Sequence, residues 1–403
     1  MRSAHWRILA SVFMLDCALM IVVTAAPFYI YDQLGGTERT SGTIGALQSL
    51  GYATVCLLST RYVERAKNGL LLAMTGCGIS GTLFLAALLF KHPVYYACCV
   101  VPASAALGLF WPAIQSWLGA ESDPKNRHRL ITLFNLSWSS GFVAGPLLGG
   151  RLYDYMYFLP YFAAFALSAV TFILVASTPH ERAVFVRREE QGAVEARVNP
   201  GDEARLPSAW VANAFAFMLL GASTSVYPKR IDELAGAVGL DYIPAWAAAV
   251  LAGLPAATLF SLLAFSSSLA RTTAFALMSK AHGLVHKFWP IALAQAAAGA
   301  GCYMLANTDN FGVMALCYLI IGLNTGICFV GSVHFSLANP AHKHRRAAIH
   351  ESTVGTGLFV GSLTAGILAR AFGLTWPFRY APVLVLAGLA IELALLHRRA
   401  ASS

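Results

Sequence analysis

Charged residues are scarce in this 403-residue sequence: they make up 12% of it, whereas 57% of its residues are apolar. The mean hydropathy is +0.62, and this composition excludes a water-soluble fold, whose surface needs far more charge. The sequence also lacks a C-x-x-C motif, and all eight cysteines fall within apolar stretches. They are expected to pack as small apolar side chains. The sequence therefore predicts no disulfide, no metal site and no cofactor.

Signatures of enzymes are missing as well. No P-loop is present, and His350-Glu351 is not followed by the second histidine of an H-E-x-x-H zinc site. The triplet Gly-Ala-Ser at 221–223 faintly resembles the serine motif of rhomboid proteases, but Thr224 replaces the glycine that should follow. Small residues at a helix crossing are the better interpretation. The sequence thus predicts that the protein is not an enzyme.

Long apolar stretches are what the sequence has in abundance. Stretches of about 20 residues have the length needed to cross a hydrocarbon core about 30 Å thick. The predicted fold is an all-α integral membrane protein of twelve spanning helices, at 8–31, 43–62, 69–90, 94–118, 130–153, 158–178, 208–230, 256–279, 288–306, 311–335, 347–369 and 378–396. The first span resembles a signal peptide in its basic start and small residues, but it is too long for one and is expected to stay uncleaved.

A polar segment divides these helices into two groups of six. We expect a six-helix bundle at 1–179, a charged cytoplasmic linker at 180–207 and a second six-helix bundle at 208–403. The eighth helix has two possible positions, because the most apolar window is 243–265. A face of small hydroxyl residues favours 256–279 instead. With the second choice Arg271 lies inside the membrane; with the first it lies at the cytoplasmic edge.

The net charge of +9 is explained by topology. With twelve spans, 20 of the 28 lysines and arginines fall on the side of the two termini and 7 on the other side. Positive loops stay in the cytoplasm, so both termini are predicted to be cytoplasmic. No nucleic-acid partner is needed to account for the charge. The high alanine and glycine content favours a bacterial inner membrane.

An internal repeat relates the two predicted bundles. A shift of 216 residues places the basic residues at 343–345 on those at 127–129, and it places Gly357 and Gly361 on Gly141 and Gly145. The stretch 141–150 reads G-F-V-A-G-P-L-L-G-G. Glycines four residues apart form a flat stripe that lets a neighbouring backbone approach closely. The repeat indicates that helices five and eleven occupy equivalent places.

With these motifs the chain resembles the major facilitator superfamily, whose fifth helix bears a G-x-x-x-G-P-x-x-G-G pattern, mainly in its antiporters. The resemblance covers essentially the whole chain. It implies that a set of small residues lies where the two halves meet and rock: Gly141, Gly145, Pro146, Gly149, Gly150, Gly357 and Gly361. The family's loop between helices two and three is represented at 60–68 by T-R-Y-V-E-R-A-K-N, which keeps an acid–arginine pair, Glu64 and Arg65, as a gate but loses both glycines.

Ionisable residues inside the spans are the strongest candidates for function, because a charge in the membrane persists only where something pairs with it or solvates it. Asp16 lies about 14 Å into the first helix at 1.5 Å per residue, near the midplane. It either binds a proton or a cationic solute, or bonds to a neighbouring helix. Arg271, if embedded, is a counter-charge for Asp16 or for an anionic solute, and otherwise it extends to the surface. Glu351 is expected to make a gating contact with Arg345 or Arg346.

Polar and aromatic residues of the helices that line the cavity in the resembled family complete the list of solute-binding candidates: Trp111 and Gln115 in helix four, Asn213 and Tyr227 in helix seven, and Asn324 in helix ten. The resulting hypothesis is a monomeric secondary transporter in the lipid bilayer. It moves a small-molecule solute by alternating access, with proton coupling through Asp16 and with efflux or antiport favoured. The alternatives are a facilitator without ion coupling and a transporter-like sensor that binds a ligand without moving it.

Overall fold

The protein is an all-α molecule. The computed structural model describes residues 3–63, 69–121, 127–178, 200–234, 236–280, 282–338 and 343–400. Within these ranges twelve helices are 18 residues or longer and four are short. The described residues form no strand beyond one isolated bridge between Gly239 and Asn310. The all-α membrane fold predicted from the sequence is confirmed.

The first half contains six long helices: α1 (Ser3–Asp32), α2 (Glu38–Val63), α3 (Gly69–Ala86), α4 (Pro93–Glu121), α5 (Arg127–Tyr155) and α6 (Leu159–Ala176). The second half contains six more, α7 (Pro200–Ser225), α10 (Ala256–Lys280), α12 (Phe288–Ala306), α13 (Phe311–Leu337), α14 (Lys343–Phe372) and α16 (Ala381–Ala400). Four short helices connect them: α8 (Tyr227–Leu234), α9 (Ala245–Leu251), α11 (His282–Val285) and α15 (Trp376–Arg379).

Ten of the long helices are apolar enough to cross a membrane. The other two, α2 and α5, are as long but more polar. Each of them packs against the other half, α2 on α14 and α5 on α10. Part of their surface therefore contacts protein instead of lipid, and polar side chains are tolerated there.

The eighth long helix takes the position that its small hydroxyl residues predicted. α10 runs from Ala256 to Lys280, and the apolar residues before it form the separate short helix α9. Pro255 at the junction lacks a backbone N–H, so it suits the start of a helix and not its interior. Arg271 consequently lies near the middle of a long helix. The predicted linker lies outside the described residues up to position 199, and α7 begins at Pro200, earlier than the predicted 208.

The glycine stripe of α5 packs within the first half, which corrects the prediction that it lies between the halves. A Cβ added at Gly145 would lie 2.5 Å from Cβ of Met20 and 2.8 Å from the carbonyl oxygen of Cys17, both on α1. Gly141 and Gly149 face the same helix in the same way. The stripe does mark a close helix crossing, but the helix that it contacts is α1 of the same half and not a helix of the other half.

The stripe of α14 repeats this arrangement in the second half, so the prediction for it needs the same correction. Gly357 and Gly361 face the backbone of α7 at Ala214 and Met218. No Cβ fits at either glycine without a shift of that backbone. α1 with α5, and α7 with α14, are therefore equivalent tightly packed pairs that hold each half together.

The contact between the halves starts at the next glycine of each stripe. Gly150 of α5 packs on the carbonyl group of Ala257 in α10, and Gly366 of α14 packs on the carbonyl group of Glu38 in α2. Both positions belong to the predicted repeat. Among the four motif glycines of α5, only Gly150 has its nearest neighbours in the second half. Pro146 lies inside an uninterrupted helix.

Hydrogen bonds join the two halves at what we call the far face, the end of the bundle opposite the start of α1 and the end of α16. Tyr31 and Ser41 both donate to the carbonyl oxygen of Ser225, at 3.1 and 2.8 Å. The carboxylate of Asp154 accepts from the backbone N–H of Thr258 at 2.7 Å and from its hydroxyl group. These bonds connect α1, α2 and α5 to the second half, so the far face is closed in this conformation.

Candidate functional site

Asp16 and Arg271 lie in the interior of the bundle, on opposite halves. The exposed fraction of Asp16 is 1% and that of Arg271 is 6%. Asp16 is near the middle of α1, where the close approach of Gly141 leaves room for its Cβ, and Arg271 is near the middle of α10. The two charges interact electrostatically. Among the described ion pairs closer than 4.0 Å, this pair is not found.

Both side chains retain unused hydrogen-bonding atoms. Oδ2 of Asp16 and Nε of Arg271 are buried and have no hydrogen-bond partner in the part of the chain that the structure describes. A buried charge without direct pairing costs several kcal/mol, as a rough figure for real proteins. The two groups are therefore poised to accept a third partner, such as a proton on the carboxylate or an anionic group on the guanidinium.

An aromatic cluster adjoins Arg271 at the interface between the halves. The guanidinium carbon of Arg271 lies 4.5 Å from the ring centre of Phe142 on α5, a cation–π contact. Trp138, one turn earlier, contacts Phe142, and it also contacts Phe275 on α10 and Phe329 on α13 with ring centres 5.2 and 6.0 Å apart. The cluster therefore gives Arg271 a neighbourhood of low polarity, which strengthens its electrostatic interactions.

A second polar contact joins the halves at the same depth. Oη of Tyr52 on α2 donates to Oε2 of Glu351 on α14 at 3.3 Å. The structure makes the positions of Tyr52 and Arg271 equivalent. Gly150 contacts Ala257 and its repeat equivalent Gly366 contacts Glu38, and the offset between Glu38 and Ala257 also relates Tyr52 to Arg271. Each half thus contributes one polar group from an equivalent place on its second helix.

The predicted gating contact of Glu351 with Arg345 or Arg346 is wrong. Arg346 forms a two-pronged ion pair with Glu203 at 2.8 and 2.7 Å, within the second half. Glu351 instead faces α2, because it lies five residues further along α14 than Arg346, about 140° around the helix at 3.6 residues per turn. Glu64 and Arg65 lie outside the described residues.

The two predicted asparagines are buried inside the second half. Asn213 donates to Thr353 at 2.8 Å, and its Oδ1 has no partner among the described residues. Oδ1 of Asn324 accepts from the thiol of Cys328 at 3.4 Å, and Nδ2 of Asn324 is buried without a described partner. Neither amide contacts Asp16 or Arg271 through a described hydrogen bond. Asn213 thus joins α7 to α14, the described bond of Asn324 stays within α13, and each amide keeps one polar atom without a described partner.

The remaining predicted solute-binding residues lie elsewhere. Trp111 packs edge-on against Phe110 with ring centres 5.0 Å apart, within the apolar core of the first half, and Gln115 is exposed. Tyr227 is not part of the seventh long helix, since it begins α8 near the far face. Its ring packs on other aromatic residues, and its hydroxyl group donates to the carbonyl oxygen of Leu305 at 3.5 Å. The structure gives Tyr227 a packing environment.

Sequence reasoning missed Tyr52, Trp138, Phe275 and Phe329. An aromatic residue in a spanning helix normally contacts lipid or packs in a core, so residue type alone gives no signal. The repeat of 216 residues does not identify Tyr52, because it places this residue on Ser268, and the equivalence of Tyr52 with Arg271 is visible only in the helix contacts. The other three have no signal in the sequence either.

The fold and this central site can be compared with known proteins. No curated protein matches this chain. Three of the solved structures that share its fold are transporters. The nucleoside transporter NupG has a TM-score of 0.70, with 13% identity and coverage of 98% of this chain and 99% of that one. A bacterial homologue of the human lysosomal transporter Spinster, inward-facing and unoccupied, has a TM-score of 0.73, with 14% identity and 99% and 97% coverage. A POT family transporter in complex with 5-aminolevulinic acid has a TM-score of 0.73, with 12% identity and 97% and 96% coverage.

At these identities the likeness concerns the fold, and it is the fold of integral membrane transporters. None of these comparisons indicates a catalytic activity. The profile of the Major Facilitator Superfamily matches residues 8–349, most of the sequence, including the glycine stripe of α5. The chain therefore belongs to the major facilitator superfamily.

Proposed function

We propose that this protein is a secondary transporter that moves a small organic solute across the membrane by alternating access. The observation that carries the proposal is the pair Asp16 and Arg271. Two opposite charges lie buried near mid-depth on different halves, and each keeps an unpaired polar atom. A purely structural pair gains most from full hydrogen bonding. The incomplete pairing favours a site that exchanges partners during a transport cycle.

The conformation fits one state of such a cycle. The far face is closed by the bonds of Asp154, Tyr31 and Ser41 to the second half. If the termini are cytoplasmic, as the distribution of basic residues predicts, the closed far face is the outer one, as in an inward-facing or occluded state. Rocking of the two halves would break these bonds and close the opposite end. The proposed location is a bacterial inner membrane, and the proposed unit is a monomer.

The proposed driving force is a proton gradient coupled through Asp16. An anionic group of the solute that binds Arg271 would remove the counter-charge of Asp16. Because an unpaired carboxylate in this apolar environment is costly, Asp16 would then take up a proton. Release of the solute restores the pair and frees the proton. A cationic solute would instead compete with the proton for Asp16, which gives exchange of solute for proton, and this direction of efflux or antiport is the one we favour.

The test is solute transport in proteoliposomes, with the solute found by a thermal-stability screen of sugars, organic acids, amino acids, nucleosides and cationic drugs. A ligand at a hundredfold its dissociation constant stabilises a protein by about 2.7 kcal/mol, which such a screen detects. Transport by the wild type should follow an imposed pH gradient. Asp16→Asn should abolish that dependence.

The matched control is Asp32→Asn, since Asp32 ends the same helix, is exposed and accepts a hydrogen bond from Tyr153 within the first half. This variant should keep the pH dependence of the wild type. If Asp16→Asn transports the solute with an undiminished response to the pH gradient, the coupling proposal is wrong. If no solute moves in any assay although the wild type binds one, the protein is a binding protein or sensor and not a transporter.

A further inference from the structure

Three potential metal ligands converge at the end of the second half that is opposite its far face. Asp202 lies in the first turn of α7, His286 lies between α11 and α12, and His334 lies in the last turn of α13. One ligand atom of each residue lies within 4.8 Å of those of the other two. Oδ1 of Asp202 is 3.2 Å from Nδ1 of His286, and the two imidazole rings are 5.1 Å apart and nearly perpendicular.

This arrangement differs from an ordinary surface ion pair. Oδ1 of Asp202 is buried, and its approach to His286 does not satisfy the direction of a hydrogen bond, so the atom has no hydrogen-bond partner in the described ranges. The side chain of Asp202 is 14% exposed, whereas that of His286 is 41% exposed. A buried acceptor therefore faces an imidazole nitrogen at a place that water and ions can reach.

The ligand set indicates the class of ion. Imidazole nitrogen is a ligand for Zn²⁺ and other first-row divalent ions, whereas Mg²⁺ and Ca²⁺ prefer oxygen ligands. Two histidines and one carboxylate supply three of the four positions of a tetrahedral site, and water from the exposed side supplies the fourth. The neighbouring Glu203 is engaged by Arg346, so its charge is already compensated.

We propose that Asp202, His286 and His334 bind one divalent transition-metal ion, represented here by Zn²⁺. The three residues belong to three separate segments of the second half, which the ion would tie together. α7 starts and α13 ends at this point. The ion would thus fix the relative position of these two long helices at the end of the second half that lies opposite the far face. This site is independent of Asp16 and Arg271 and does not rest on the proposed transport activity.

The test uses the full-length protein in detergent, freed of any histidine tag and stripped with EDTA. Equilibrium dialysis against Zn²⁺ followed by elemental analysis should give one bound ion per chain, and Mg²⁺ should not compete. His286→Ala and His334→Ala should each weaken Zn²⁺ binding by at least about tenfold, the smallest effect expected even for residues that only support a metal ligand. Co²⁺ bound to the wild type should show visible absorption bands of a low-symmetry site.

The matched control is His397→Ala, because His397 is an exposed histidine of α16 with no place in the cluster. It should bind Zn²⁺ as the wild type does. If a histidine variant fails to fold, Asp202→Asn serves in its place, since it keeps the shape of the side chain and removes its charge. The proposal is overturned if the wild type holds no stoichiometric Zn²⁺, or if the cluster variants and His397→Ala bind it equally.

Discussion

The bond between Asp154 and the start of α10 is expected to set how strongly the far face is closed. Asp154 lies at the end of α5, and its carboxylate accepts the backbone N–H of Thr258 at 2.7 Å and the hydroxyl group of the same residue. Thr258 is in the first turn of α10, where backbone N–H groups have no partner within the helix. Asp154 therefore caps a helix that belongs to the other half.

The free-energy change expected for Asp154→Ala follows from this capping role. Loss of an N-terminal cap costs about 0.5–2 kcal/mol, and the negative charge adds to the interaction with the helix dipole. The bond exists only while the far face is closed, so Asp154→Ala destabilises that state without affecting the open one. A change of about 1–2 kcal/mol shifts the ratio of the two populations roughly 5–30-fold towards the open far face.

The assay is the distribution of distances between spin labels on opposite halves of the far face. Val94 at the start of α4 and Asn307 at the end of α12 are exposed and suit labelling as cysteines. The only exposed native cysteine among the described residues, Cys98, is first replaced by serine. Asp154→Ala should increase the fraction of long distances.

The control is Asp32→Asn, which changes a far-face carboxylate whose hydrogen bond to Tyr153 stays within the first half. It should leave the distance distribution unchanged. An unchanged distribution in Asp154→Ala, or an equal shift in the control, would refute the idea that this cap joins the halves.

Two further predictions concern packing and the contact between the halves. Gly145→Ala places a Cβ 2.5 Å from that of Met20, so it should lower the unfolding free energy, measured by thermal denaturation, by about 1–3 kcal/mol. The control is Gly301→Ala, which should leave the unfolding free energy unchanged because its Cβ meets nothing closer than 3.8 Å. Equal melting temperatures for the two variants would contradict the packing of α5 on α1. Tyr52→Phe leaves Glu351 without its hydrogen-bond donor, whereas Glu351→Gln keeps an acceptor oxygen for Tyr52. Tyr52→Phe should therefore lower the melting temperature more than Glu351→Gln does. The reverse order would show that this hydrogen bond contributes little to stability.

The positions of the long helices were predictable because each is an apolar stretch of spanning length. The eighth helix shows the limit of predicting helix positions from apolarity. Apolarity alone favoured 243–265, and only the spacing of small hydroxyl residues selected the helix that starts at Ala256. The glycine stripe of α5 was recognised as a close contact, yet its partner was wrong. A G-x-x-x-G pattern describes one surface of a helix, and it carries no information about which helix covers that surface.

The sequence predicted the charged residues of the site and did not predict the uncharged ones around them. Asp16 and Arg271 drew attention because ionised groups are costly in a membrane. The aromatic residues around them, Trp138 and Phe329 among them, are ordinary in such helices. The cluster around His286 was missed for another reason. Its three proposed ligands come from distant positions in the sequence. Only the packing of α7 and α13 brings them together, so no short motif in the sequence indicates the site.

The internal symmetry gives a reason to regard the charged pair as functional. A Cβ added at Gly141 would lie 2.8 Å from the Cβ of Asp16, and one added at its repeat equivalent Gly357 would lie 2.9 Å from the Cβ of Phe217, so both glycines make room for these side chains. The place of Arg271 is taken in the first half by Tyr52. Equivalent helix crossings therefore form with an uncharged residue at each position, and the packing itself does not require a carboxylate or a guanidinium. Since charges that packing does not need are costly to bury, the asymmetry between the halves points to chemistry that only the side with Asp16 performs.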